Sequence, residues 1–367
     1  MQMKKIYGWD YYCERILRKS QLFIENSLAE KEKSYIVFDI NDRGRERTIC
    51  QVDKTSGLYQ LQNNLNRNLL AKIPLSKAAS GFVRGLSYQD YLRPHCGKRF
   101  HMRLDIYHFF DHVTEEQVVK SLEEFVQDEK IRENIGEITT LNGKLPQGAV
   151  TSPAVSNIVF RRIDQRILKY CQSVRKVREG KKFYQEDLIY TRYADDMMVS
   201  SDYLDFRRDL FVYRIIKHIL KENGFSLNTE KTYMAAGEIS LSGFVVGGRE
   251  NGCSVRPSRK RLREINRILA YFDARREPDG CPYEVEIKKL RDPRVLDHVN
   301  QLYSDGSIAR FSNKKSLINY LCGYRAFLIT FLKGDQGQDS SRRALQGKIR
   351  NLEKLIDQCQ RWWFDIE

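Results

Sequence analysis

Tyr193-Ala194-Asp195-Asp196 stands between two apolar segments, residues 188–192 and 197–200. The flanking segments favour β-strands, and an acidic pair between two strands is typical of a hairpin turn. Neighbouring carboxylates repel each other, and burying them is costly unless a cation compensates. The tetrapeptide therefore predicts a divalent-metal site at a hairpin tip. If it stood alone, a solvated Asp-Asp turn would be the simpler explanation.

A third acid, Asp105, lies in the apolar and aromatic run of residues 103–111, which is typical of a strand. Two-metal phosphoryl transfer requires carboxylates from separate segments to converge on two ions roughly 3.5–4 Å apart. A turn-rich loop at residues 145–153, with a glycine that permits close backbone approach to a ligand, separates Asp105 from Asp195 and leads into an apolar helix. This order predicts a metal site built by Asp105 and Asp195.

These three segments, in this order, resemble the palm motifs of reverse transcriptases. Residues 224–232 resemble the next palm segment, and Leu241-Ser242-Gly243-Phe244 resembles the primer-grip turn, so that the similarity covers about residues 35–250. The resemblance implies an α+β right-hand polymerase fold with fingers, a palm of antiparallel strands backed by helices, and an α-helical thumb. The expected segments are a helical extension at 1–33, fingers at 34–100, palm at 101–250, and thumb with the C-terminal region at 251–367.

Within that family, the sequence is most similar to the bacterial retron, group II intron and defence-associated branch. Two segments resemble the corresponding motifs of those enzymes: Ser80-Gly81-Phe82-Val83-Arg84-Gly85 and residues 190–196. Two retron signatures are altered. The usual Asn-Ala-X-X-His reads Tyr91-Leu92-Arg93-Pro94-His95, and the usual Val-Thr-Gly reads Leu241-Ser242-Gly243. The branch is therefore left open.

The resemblance implies a role for each acid of the site. Asp105, Asp195 and Asp196 would bind two Mg²⁺ ions, with Mn²⁺ as the substitute, and the backbone carbonyl of Ile106 would rank below the acids as a ligand. Asp196 would bind metal weakly or only shape the site. Lys231 would lie near the triphosphate and act as a general acid for departing pyrophosphate. Asp105, Asp195, Asp196 and Lys231 are thus the predicted catalytic residues.

Four residues are predicted to bind the incoming nucleotide: Arg45, Arg47, Phe110 and Gln147. Gln147 would line the nucleotide and template pocket, and Phe110 would lie beneath the sugar and clash with a 2′-hydroxyl. The alternative is that Phe109 and Phe110 are both core residues; in a regular strand only one of them could face the pocket. Arg45 and Arg47 alternate along a hairpin predicted over residues 34–49, where they would bind phosphate or merely line an exposed surface.

Composition favours a nucleic-acid partner. The chain has 63 Lys and Arg against 48 Asp and Glu, giving a net charge of +15 and a pI near 9.3. The densest basic patch begins a predicted helix that continues to about residue 272. Its basic face would follow a sugar-phosphate backbone, or would be a solvated face or a localisation-like run. The predicted nucleic-acid-binding residues are Leu241, Ser242, Gly243, Arg256, Arg259, Lys260, Arg261 and Arg263.

The chain carries eight cysteines without a Cys-X-X-Cys pair, which favours reduced thiols over a structural zinc site. It has no apolar stretch long enough to span a bilayer, and its first residues lack a secretion core, so a cytoplasmic protein without a membrane partner is expected.

The sequence predicts an RNA-directed DNA polymerase that adds dNTPs to a primer. The resemblance implies that it copies a dedicated noncoding RNA into cDNA in a retron-like antiphage system, with an effector or toxin protein as a further partner. A template-independent or protein-primed polymerase of the defence-associated kind would keep the same acids, and the 20 tyrosines do not exclude a tyrosine primer. A noncatalytic RNA-binding scaffold is a further alternative. Such a protein would be expected to have lost the catalytic carboxylates, whereas all three are present in this sequence. The RNA, the priming group and the oligomeric state are left open.

Overall fold

The computed structural model describes residues 5–42, 45–173, 177–179, 182–184, 188–247, 255–273, 289–302, 311–332 and 339–364. Its contacts divide the chain into two compact units, Met1–Ala236 and Gly237–Glu367. This division is coarser than the four expected segments, whose boundaries remain predictions. It places the Leu241-Ser242-Gly243 turn in the second unit.

The first unit begins with short helices and a long hairpin. Helices α1 (Trp9–Tyr11) and α2 (Gln21–Ala29) flank a π-helical segment, Tyr12–Leu17. Strands β1 (Tyr35–Asp42) and β2 (Arg45–Val52) then pair antiparallel, which confirms the hairpin predicted from residues 34–49. Helix α3 (Gly57–Asn68) buries Leu58, Leu61 and Leu65, which recur at helical spacing, and α4 spans Tyr88–Leu92.

A four-stranded antiparallel sheet carries the acidic motifs. Its strands are β3 (Phe100–Asp105), β6 (Ile189–Tyr193), β7 (Asp196–Ser201) and β8 (Tyr233–Ala236), in the order β6-β7-β3-β8. The two central strands, β3 and β7, are buried along most of their length. The predicted strand at 103–111 was too long: β3 ends at Asp105, and Phe110–His112 form a 3₁₀ turn.

Helices pack around this sheet in the same hydrophobic core. They are α5 (Glu115–Ser121), α6 (Glu129–Thr139), α7 (Ser152–Ser173) and α8 (Phe211–Glu222). The apolar helix predicted after residue 153 is confirmed as α7, whose buried residues include one acid, Asp164. A short hairpin, β4 (Val177–Glu179) and β5 (Lys182–Tyr184), lies between α7 and β6 in the chain.

The second unit has a core of its own. A small sheet in the order β11-β10-β9 is formed by β9 (Ile239–Leu241), β10 (Phe244–Val246) and β11 (Val255–Pro257). Four helices follow in the part of the unit that the structure describes: α9 (Arg259–Phe272), α10 (Val295–Gln301), α11 (Lys314–Leu332) and α12 (Asp339–Phe364). The basic run therefore does open a helix, with Ser258 as its N-cap, and α9 buries Ile265, Ile268 and Phe272. Among the described helices, none has both the length and the apolar character needed to cross a membrane.

Candidate active site

The sheet brings the three acids together. Asp105 on β3 is the direct antiparallel partner of Asp196 on β7. The next residue, Ile106, donates its backbone N–H to the carbonyl of Asp195 at 3.0 Å. Directly opposed residues of an antiparallel pair project from the same face, so the carboxylates of Asp105 and Asp196 share one side of the sheet. Asp105 is only 3 % exposed.

The turn between β6 and β7 consists of two residues, Ala194 and Asp195. This confirms the predicted hairpin tip. Ala194 has φ +55°, a left-handed conformation that is costly for a residue with a side chain. Such strain persists only where the surroundings hold the backbone in place, and it is concentrated at functional sites.

Burial and charge repulsion raise the pKa of the two acids at the hairpin tip, Asp195 and Asp196. Burial raises the pKa of Asp195, and the charges of Asp196 and Asp105 raise it further, while its own backbone N–H and Lys231 act in the opposite direction. Burial is also the largest cause that raises the pKa of Asp196; Arg103 and Lys231 lower it, and Asp105 raises it. A divalent cation would relieve this repulsion, so the charge distribution fits a metal ion.

Two cations already contact the acids. Lys231 donates from Nζ to Asp105 Oδ1 at 2.8 Å and to Oδ2 at 3.0 Å. Arg103 donates from Nε and Nη2 to Asp196 Oδ1, at 2.9 and 2.6 Å. Within the described ranges, no three His, Cys, Asp or Glu side chains are arranged as a ready-made metal site. The acids fit a cation by charge and burial, but Lys231 and Arg103 neutralise two of them in this state.

A buried network, which the sequence analysis did not identify, holds the turn from behind. Arg192 and Asp164 are both fully buried, and Arg192 donates from Nε to Oδ1 at 3.0 Å and from Nη2 to Oδ2 at 2.9 Å. Arg192 also donates from Nη1 to the carbonyl of Ala194 and from Nη2 to Oδ1 of Asn157, each at 3.0 Å. The tyrosine hydroxyl of Tyr190 donates to Asp164 at 2.7 Å. The available signal was the helical spacing of Asp164, which lies four residues after Phe160 and three before Ile167 and so falls on the apolar face of α7.

Gly81 lies directly against the same turn. Its carbonyl accepts a hydrogen bond from Asn157 Nδ2 at 2.8 Å, and the N–H of Ser80 donates to the carbonyl of Arg192 at 2.8 Å. A Cβ on Gly81 would lie 2.5 Å from the backbone nitrogen of Ala194 and 3.0 Å from the carbonyl carbon of Tyr193. A side chain at position 81 is therefore incompatible with this approach.

His95, the only residue retained from the altered retron signature, joins the two strands of the β6–β7 hairpin. Its Nδ1 lies 2.7 Å from Ser200 Oγ and its Nε2 lies 2.7 Å from Thr191 Oγ1. The hydroxyl of Thr191 donates to the carbonyl of Tyr91, so Nε2 must carry the proton that Thr191 accepts. Burial, with repulsion by His101 and Lys98, lowers the pKa of His95 to about 3. The ring is a neutral structural cross-link.

The two phenylalanines after Asp105 have different surroundings. Phe109 is 4 % exposed and packs against Phe160 and Phe225, so it is a core residue. Phe110 is half-buried. Strand alternation does not apply to this pair, because the strand ends at Asp105 and Phe110 begins a 3₁₀ turn. Phe110 as the sugar-contacting residue stays a prediction.

The loop with Gln147 and Gly148 lies against β2. The carbonyl of Gln147 accepts a hydrogen bond from the N–H of Cys50 at 2.8 Å. Gly148 has φ +116°, and a Cβ there would lie 2.9 Å from Ile49 Cγ2. The close approach that the structure shows for this glycine is to β2, and its approach to a ligand stays a prediction. Arg47 is exposed on the same strand, whereas the side chain of Arg45 lies outside the described part of the chain.

In the second unit, Leu241-Ser242-Gly243 forms a tight hairpin turn. Ser242 and Gly243 have φ +49° and +89°, the pattern of a type I′ turn. Gly243 lies under Arg261, because a Cβ there would come within 2.9 Å of the Arg261 side chain. Of the predicted basic residues, Arg256 and Arg261 pair with Glu238 and Glu264, at 2.6 and 3.5 Å. The exposed ones on α9 are Arg259, Lys260 and Arg263.

Comparison with known proteins gives a consistent family. The family model described as reverse transcriptase (RNA-dependent DNA polymerase) matches residues 41–246. The chain is 27 % identical over 236 residues to the retron Ec86 reverse transcriptase of Escherichia coli, covering 63 % of this chain and 68 % of that protein. It is 25 % identical over 324 residues to the retron Se72 reverse transcriptase of Salmonella heidelberg (strain 579083-10), covering 87 % and 80 %. For the retron Mx65 reverse transcriptase of Myxococcus xanthus the identity is 29 % over 221 residues, covering 55 % and 48 %.

Similar solved structures include a telomerase from Candida albicans in complex with a fragment of telomeric RNA. It has a TM-score of 0.40 and 14 % identity, with coverage of 91 % of this chain and 64 % of that one. A foamy viral protease-reverse transcriptase in complex with double-stranded DNA has a TM-score of 0.36 and 14 % identity, with coverage of 98 % and 50 %. The chain thus spans less than two thirds of either of these two structures.

Proposed function

The chain belongs to the reverse transcriptase family and is of the retron type, and from this premise we propose that Asp105 and Asp195 hold two Mg²⁺ ions for DNA synthesis on an RNA template. As an RNA-directed DNA polymerase it is a nucleotidyltransferase. The observation that supports the metal assignment is the junction of β3 with the β6–β7 turn. There Asp105 opposes Asp196, and Ile106 bonds to Asp195.

The acids have unequal parts in this proposal. Asp105 and Asp195 are the ligands, with the carbonyl of Ile106 as a further oxygen donor, and Mn²⁺ is the expected substitute ion. Bound Mg²⁺ would activate the primer 3′-oxygen and stabilise the departing pyrophosphate. Asp196 accepts two hydrogen bonds from Arg103, so we assign it to shaping the site and to weak metal contact.

Lys231 is the proposed proton donor. Its ammonium lies on the carboxylate of Asp105 at 2.8 Å. A divalent cation bound by Asp105 would compete for that same carboxylate, and the ammonium of Lys231 would then be available to donate a proton to pyrophosphate. The position of Lys231 next to a metal-binding acid supports this role over that of a solvated surface lysine.

The substrate contacts follow the sequence predictions. Phe110 contacts the sugar, Gln147 lines the pocket, and Arg45 with Arg47 binds the triphosphate. The β2–Gln147 hydrogen bonding supports this grouping because it brings the hairpin to the loop. Primer and template would be held by the Leu241-Ser242-Gly243 turn and by the basic residues from Arg256 to Arg263, which contact phosphates without reading sequence.

The biological setting is proposed from the relatives. Retron reverse transcriptases recur among the similar proteins. We propose that the chain copies a dedicated noncoding RNA into cDNA for antiphage defence, in association with an effector or toxin protein. A cytoplasmic location is part of the same proposal, since the RNA and the deoxynucleotides are found there in bacteria.

The test is primer extension on an RNA of defined sequence with dNTPs and Mg²⁺. We expect DNA complementary to the RNA, and a loss of at least about 100-fold in Asp105→Asn and Asp195→Asn. Asp10→Asn is the matched control, because Asp10 is an exposed acid of α1.

Two outcomes would replace the proposal. Product unrelated to the RNA would indicate a template-independent or protein-primed polymerase. Absence of incorporation by the wild type as well as by both variants would indicate the noncatalytic scaffold.

A further inference from the structure

Phe82 has two unfavourable properties for an ordinary surface residue. Its backbone is left-handed, with φ +61°, which is a clear outlier for a bulky side chain. Its ring is 47 % exposed, so that much of its apolar surface remains in water. Neither property stabilises the fold. A strained and exposed aromatic residue is a candidate for contact with a ligand or with another functional group.

The neighbouring residue holds Phe82 in this conformation. Gly81 is fixed through its carbonyl by Asn157, and its α-carbon fits against Ala194 and Tyr193 of the catalytic turn. Asn157 in turn is bonded to Arg192 of the buried network. Phe82 therefore follows directly on the backbone that contacts the turn, and its placement is coupled to that of the acids.

The ring of Phe82 packs against Phe110. Their centroids are 6.2 Å apart with a 54° angle between the planes, and Phe110 lies 5.5 Å from Phe109 in the same tilted manner. Phe109 belongs to the core. The three rings form a row from the core to the surface, with Phe110 in the middle and Phe82 at the outer end. Such tilted pairs are attractive beyond simple burial.

We propose that Phe82 is a positioning residue for sugar selection, which holds the ring of Phe110 rigid against the 2′ position of the incoming nucleotide. This deepens the proposed function and rests on it. A ring that rejects a 2′-hydroxyl by steric clash can discriminate between dNTPs and rNTPs only if the ring cannot move aside. Phe109 supports Phe110 on the core side, and Phe82 supports it on the solvent side.

The experiment compares the ratio of kcat/KM for a dNTP to that for the matching rNTP. Phe82→Asn removes the ring but suits a left-handed backbone, and Phe82→Gly is the second variant of the same kind. We expect each to lower the ratio by about 3- to 10-fold, from the strength of an aromatic pair. Phe110→Ala should lower it further. Phe211→Ala is the control, because Phe211 is another exposed aromatic of the first unit and lies 57 % exposed on α8.

The double variant Phe82→Asn/Phe110→Ala tests whether Phe82 acts through Phe110. If it does, the double variant discriminates no worse than Phe110→Ala alone. The proposal would be overturned if the losses of discrimination from the two single variants multiply in the double variant. It would also be overturned if Phe82 variants change kcat/KM for the dNTP and for the rNTP by the same factor. An unchanged ratio in Phe110→Ala would also overturn it.

Equilibrium binding of non-hydrolysable dNTP and rNTP analogues gives the corresponding ratio of affinities without turnover. A wild-type protein that carries out no RNA-templated synthesis would therefore refute the proposed function. An unchanged ratio of binding affinities in Phe82→Asn would refute this inference alone.

Discussion

Gly81→Ala should damage catalysis without removing any polar group. The added methyl carbon would lie 2.5 Å from the nitrogen of Ala194, whereas ordinary contacts begin at 3.4 Å. The methyl carbon is fixed to the Gly81 backbone and its neighbours are backbone atoms, so roughly 1 Å of separation must come from moving the turn or the 80–82 segment. Overpacking of this kind costs about 1–3 kcal/mol of stability. Because Asp195 is the second residue of that turn, a misplacement of about 1 Å should lower kcat about 100-fold.

The assay is single-turnover primer extension on RNA, with a thermal unfolding curve for the same preparation. Gly323→Ala is the matched control, since a Cβ there meets no atom within 4 Å and the residue lies inside α11. It should leave kcat unchanged. A Gly81→Ala protein that keeps the wild-type rate would refute the reasoning, because the turn would then tolerate displacement or the close approach would not exist.

Three further predictions concern the buried network, the cross-linking histidine and the basic helix. Asp164→Asn leaves the Arg192 guanidinium buried without its counter-charge and should lower the free energy of unfolding, measured in urea, by about 3–5 kcal/mol. The control is Glu222→Gln in the exposed Arg166–Glu222 pair, which should change this free energy little. Equal effects of the two substitutions would contradict the role of burial. His95 has a pKa of about 3 in the folded protein and near 6.5 in the unfolded chain. Its contribution to the free energy of unfolding is therefore fully present above pH 6.5 and is lost as the pH falls toward 3, because in this range only the unfolded chain takes up the proton. This loss reaches about 2 kcal/mol at pH 5, and the urea midpoint of His95→Gln should vary less between pH 7 and 5 than that of the wild type; identical pH dependence would argue against it. Arg259→Ala combined with Arg263→Ala should lower the slope of log K against log[salt] for RNA binding by about 1.4–1.8, measured by fluorescence anisotropy, and an unchanged slope would exclude α9 from the phosphate contacts.

Local sequence was sufficient wherever neighbouring residues decide the structure. The hairpins at 35–52 and 189–201 were predictable because strand and turn preferences act over a few residues. The end of β3 was not predictable, because the apolar residues after Asp105 suit a strand and a buried turn equally well. Only the packing of Phe109 against α7 and Phe225 distinguishes them.

The chain by itself determined which chemical groups are present: three carboxylates, a lysine, two successive aromatic rings, and an excess of positive charge. The tertiary structure decided which of these groups meet. Lys231 lies on Asp105, Arg103 on Asp196, and Arg192 on Asp164 under the turn. These pairings join residues from 28 to 126 positions apart. No local preference specifies them, because the free energy of a buried charge depends on which counter-charge the complete fold brings within hydrogen-bond distance.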